Sequence, residues 1–98
     1  MTTYEIELLE QIYADLETLM NVFKKQYHEH PLVGHYENLL RINEQPFKHQ
    51  RENERDALES IHCTIGNLTN AELTYLVLGD VEVWDVHYAI ENFLYQNM

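Results

Sequence analysis

Three of the chain's six histidines, His28, His30 and His35, fall within eight residues in the stretch KKQYHEHPLVGHYE, with Glu29 among them. Imidazole nitrogen and carboxylate oxygen are donors that zinc selects, so metal binding is the first chemistry this stretch suggests. The spacing opposes a compact site. His28 and His30 stand two apart and point away from each other on a helix, and neither makes the i, i+4 pair of HExxH. Only a turn at Pro31 that folds His35 back, joined by His49, would complete a ligand set. The same histidines lie in the segment that holds Lys24, Lys25, Arg41, Lys48, Arg51 and Arg55. Imidazole charges just below neutral pH, so acidification would concentrate positive charge there.

Nucleophilic catalysis needs an activated Ser, Cys or Lys with a base in reach. Ser60 is the only serine, and ESIHC sets His62 and Cys63 in adjoining directions of one helix rather than as a dyad. Cys63 reads as a small buried or half-buried residue. The three glycines stand apart at 34, 66 and 79, so no glycine-rich phosphate loop is present. The residues imply no enzyme and no cofactor.

Carboxylates form the more extended pattern. Glu7, Glu10 and Glu17 share one face of a helix. Glu82, Asp85 and Glu91 make a second group, and Glu52, Asp56 and Glu59 a third, flanked by Arg51 and Arg55. Successive helical turns are about 5.4 Å apart, of the order of the charge spacing along a nucleic acid strand, so such stripes suit a basic groove. The competing reading is an acidic surface that keeps a small protein dispersed. Seven tyrosines, at 4, 13, 27, 36, 75, 88 and 95, exceed what a core of this size hides with every hydroxyl partnered. Some are expected at the surface, where Tyr favours interfaces.

The charge distribution sharpens this. Residues 1–23 carry −5, residues 24–55 carry +1 with all six bases, and residues 56–98 carry −7, giving the net −11. Such a field repels phosphates and anionic lipid, so direct binding to nucleic acid or membrane is not expected. The 45% hydrophobic and 11% aromatic content of 98 residues supports one folded domain over 1–98. A lone cysteine excludes an internal disulfide framework and fits a reducing cytoplasm. The N-terminal residues lack the pattern of a secretory signal, and no run is long enough for a membrane span.

These side chains must be positioned by helices. Thr2 and Glu5 have the spacing of a capping box, and Leu9, Ile12, Leu16, Leu19, Phe23 and Tyr27 repeat at three and four, predicting a helix over about 3–29. That seam fits a bundle core or, as a second possibility, another copy of the chain. His30-Pro31 ends it and opens a shorter helix, PLVGHYENLLRI, weakened at Gly34. Pro46 opens a third helix to about Ile65, with Phe47, Leu58, Ile61 and Ile65 apolar and its first half polar. Gly66 is expected to stop it in a left-handed conformation. Thr69 and Glu72 form a second capping box before NAELTYLVL. Gly79 ends that helix, and Asp80 caps the last, VEVWDVHYAIENFLYQ, where Val83, Val86, Ile90 and Phe93 share a face beside Trp84. The alternative for YLVLGDVEVWDV is a strand pair, opposed by the capping box and by the Gly-Asp order.

The expectation is an all-α bundle of four to five helices with a long N-terminal helix and breaks at Pro31, Pro46, Gly66 and Gly79. Its function would be to bind a protein with a basic surface, such as a nuclease or another nucleic-acid-binding complex, as an inhibitor of phage or mobile-element type. Glu7, Glu10, Glu17, Glu82, Asp85, Tyr13 and Tyr88 would make the contact. The alternatives are an antitoxin-like or immunity-like module recognising its partner through apolar and tyrosine contacts, a homodimer, and a histidine-based metal-binding protein.

Overall fold

The computed structural model describes residues 2–44, 50–76 and 82–95. They form five helices and no strand: α1 (Thr3–Gln26), α2 (Pro31–Glu44), α3 (Gln50–Gly66), α4 (Asn70–Leu76) and α5 (Val83–Tyr95). Pro46, Gly79 and Asp80, with Phe47 and His49, lie outside the described residues. The strand-pair alternative is contradicted at both of its described ends, since 75–76 and 83–86 are helical.

The period in α1 dictates the packing. Leu9, Ile12, Leu16, Leu19, Met20 and Phe23 are buried, so the apolar seam lies inside one chain. It meets Val83, Val86, Ile90, Phe93 and Leu94 of α5, while α3 contributes Leu58, Ile61 and Ile65, and α2 Leu32, Val33 and Leu39. Helix α1 packs on α5, α2 and α4, and α3 packs on α2 and α5. A radius of gyration of 13.1 Å fits about 13 Å for a compact chain of this length.

Helix α1 begins as expected. Thr2 and Glu5 form a reciprocal capping box. It ends at Gln26, earlier than 29, because Tyr27 leaves helical geometry (φ −122°, ψ 47°), its N–H donating to the Phe23 carbonyl and its ring stacking on Phe23 at 4.8 Å. Helix α2 runs regularly through Gly34 and two residues beyond Ile42.

The end of α3 differs from expectation. No described glycine has positive φ. The Asn67 and Leu68 N–H groups donate to the Thr64 and Ile65 carbonyls, and the Asn67 amide donates to the Cys63 carbonyl at 2.9 Å, so a tightened last turn closes the helix without a left-handed residue.

The second capping box is present, with Thr69 N–H donating to Glu72 Oε1 at 2.8 Å and Glu72 N–H to Thr69 Oγ1 at 3.2 Å. Glu72 Oε2 also meets His30 Nε2 at 2.7 Å, while His30 Nδ1 accepts the Leu32 N–H at 3.0 Å. An accepting Nδ1 places the hydrogen of a neutral imidazole on Nε2, where it donates to Glu72. One histidine therefore joins the start of α2 to the start of α4. The Thr69 backbone bond, with His30 beyond it, holds the Glu72 carboxyl below its ordinary value.

Candidate partner-binding faces

At 100° per residue, Trp84, Tyr88, Glu91 and Tyr95 fall within about 60° of one another on α5 and form a ridge about 16 Å long. This ridge lies opposite the buried stripe. Trp84 is 39%, Tyr88 60% and Tyr95 43% exposed. Glu82 and Asp85, both exposed, flank its beginning, with the Glu82 carbonyl accepting the Asp85 and Val86 N–H groups of the first turn.

An imidazole pair supports the ridge. His62 of α3 and His87 of α5 stack with centroids 4.0 Å apart and 18° between planes. Trp84 meets His87 edge-on at 5.3 Å, and Tyr95 meets His62 edge-on at 5.9 Å. His62 Nε2 and His87 Nδ1 are enclosed without a hydrogen-bond partner among the described residues. Glu91 Oε1 stands 3.8 Å from His62 Nε2, beyond hydrogen-bond distance. Burial and then the neighbouring His62 lower the His87 pKa, partly opposed by Glu91. Burial, Glu59, Cys63 and Glu91 raise that of Tyr95.

Glu7, Glu10 and Glu17 lie on exposed positions of α1 as the spacing predicts, and Tyr36 of α2 has its pKa raised by burial and by Glu17. Tyr13 is turned inward. Its hydroxyl donates to Glu54 Oε2 at 2.7 Å and accepts from the Asn43 amide. Burial and the bond to Glu54 raise its pKa. The polar first half of α3 is thus not wholly at the surface, for Glu54 is buried.

Arg55, expected to flank the α3 stripe, reaches across to α5 instead. Arg55 Nη2 donates to the Leu94 carbonyl at 2.5 Å, with its guanidinium 5.7 Å from the Phe93 ring centre, which closes the end of α5. Arg51 approaches Glu54. Glu52, Asp56 and Glu59 remain exposed.

The three clustered histidines are not brought together. His28 is exposed, His30 is engaged by Leu32 and Glu72, and His35 faces a shallow cleft lined by Asp56, Glu59, Ser60, Cys63 and Thr64 of α3. Among the described residues no three His, Cys, Asp or Glu groups converge as a metal site. Cys63 is exposed, not buried, since its position faces away from the His62 contact with α5. No described helix is long and apolar enough to cross a membrane. No protein-family model, curated protein or solved structure matches the chain.

Proposed function

We propose that this is an interaction protein, of the inhibitor or adaptor kind, that occupies a basic and nucleic-acid-binding surface of another protein. The observation that carries this reading is the α5 ridge. It exposes three aromatic side chains around Glu91 in a segment, 56–98, that has seven acids and neither Lys nor Arg. Aromatics supply anchoring area and faces on which Arg and Lys side chains stack, while carboxylates steer the approach of a cationic partner. The acidic face of α1, with Glu7, Glu10 and Glu17, extends the same field.

The exposed tyrosines also favour a second reading, an immunity-like or antitoxin-like module held by apolar contact. The α1 carboxylates separate the two, and Tyr88 tests the ridge that both share. In a capture experiment from a bacterial lysate, Tyr88→Ala is expected to weaken retention by about tenfold or more on either reading. Reversing Glu7, Glu10 and Glu17 to Lys abolishes retention only where charge selects the partner. Full retention by the folded triple variant removes the α1 face from the account.

A further inference from the structure

A cleft of about 340 Å³ opens between the N-terminal half of α1, the last turn of α2 and the first turns of α3. Ile6 and Leu9 form an apolar wall, and Glu10, Tyr13, Arg51 and Glu54 supply polar groups. Glu54 is the one charged side chain buried among the described residues, at 4% exposure.

An ionised carboxylate has about four acceptor sites. Glu54 receives the Tyr13 hydroxyl at Oε2, while Arg51 Nη1 stands 4.0 Å from Oε1 on a side chain that is 67% exposed. That separation exceeds a hydrogen bond, so Oε1 retains capacity for a charged donor. Burial makes such a donor valuable, because a carboxylate withdrawn from water gains most from a close cation. Glu10 and Glu54 against Arg51 leave the cleft with a net formal charge of −1. The adjoining last turn of α2 presents the negative end of its helix dipole. A monocation on an apolar stem therefore matches both the charge and the wall. Guanidinium fits better than ammonium, being planar, two-pronged and less strongly hydrated.

We propose that this cleft receives one arginine side chain of the basic partner, its guanidinium on the carboxylates of Glu54 and Glu10 and its methylenes along Ile6 and Leu9. The source of the arginine rests on the interaction reading given above. The cleft's own chemistry does not.

The test is an NMR titration of the full chain with N-acetyl-arginine methylamide, against the uncharged citrulline analogue. Saturable shifts at Ile6, Tyr13 and Glu54 are expected, about tenfold weaker with citrulline. Glu54→Gln, which can still accept from Tyr13, and Glu10→Gln, at an exposed position, should each reduce the response. Absence of saturation, equal binding of citrulline, or an undiminished response in both variants overturns the cleft. Partner capture unaffected by both variants also overturns it and leaves the interaction reading standing. Saturable arginine binding with no basic partner captured overturns that source and leaves the cleft.

Discussion

His62 and His87 face each other ring on ring at 4.0 Å across the α3–α5 contact, and each has an enclosed nitrogen without a hydrogen-bond partner among the described residues. Two imidazolium rings cannot share that geometry without strong repulsion, so the packing requires at least one neutral ring. Glu91 of α5 is the carboxylate beside the pair, Tyr88 and Tyr95 meet the rings edge-on, and Glu59 and Cys63 of α3 act on Tyr95.

The pH dependence of stability follows from the sign of the His87 shift. Its folded-state pKa is below 6.5, so the unfolded chain takes up the proton first. The stabilisation is complete above about 6.5 and is lost as pH falls from there through the lower folded value. Urea unfolding between about pH 5 and about pH 8 should show this decline, and His87→Phe should flatten it. An identical slope in the variant would remove the imidazole pair as its cause.

Tyr13→Phe should destabilise the fold by about 1–3 kcal/mol, because it deprives a buried carboxylate of its hydroxyl donor. The wild-type phenol has a raised folded-state pKa, so its contribution is complete below about 10 and is lost as pH rises through the folded value. Denaturant midpoints and the absorbance of phenolate at alkaline pH measure both effects. A variant as stable as the wild type would show that Glu54 needs no donor from α1.

Gly34→Ala should stabilise the protein by about 0.5–1 kcal/mol, since the position is helical and an added methyl meets nothing within 4 Å. Gly66→Ala should also be tolerated, because no left-handed conformation is required there and the new carbon would sit 3.8 Å from His87 Nε2. Thermal midpoints decide both. A loss of stability in Gly66→Ala would show that the closing turn of α3 depends on glycine after all.

Much of the bundle is legible in the residue order because its signals are local. The α1 seam repeats within single turns, and both capping boxes span three residues, so each is visible without knowing the partner helix. What was not legible depends on distant neighbours. Glu54 lies in a run of charge and reads as exposed until Tyr13, 41 positions earlier, is placed against it. The His62–His87 contact joins two helices, and neither sequence neighbourhood marks those histidines as partners. His30 reads as a metal donor from its companions, whereas a backbone N–H and Glu72 determine its role. Gly66 shows the converse limit: its type permits a left-handed stop, but Asn67 and Leu68 can close the helix without one.

Recognition of a basic partner by the acidic faces is decided by affinity capture from a bacterial lysate at about 0.05 M and about 0.5 M salt, with mass spectrometry of the retained proteins. A nucleic-acid-binding protein is expected to be held at low salt and released at high salt, because screening removes the attraction between the acidic faces and a basic groove. A partner that remains bound at high salt, or retention of nothing but a second copy of the chain, would contradict it.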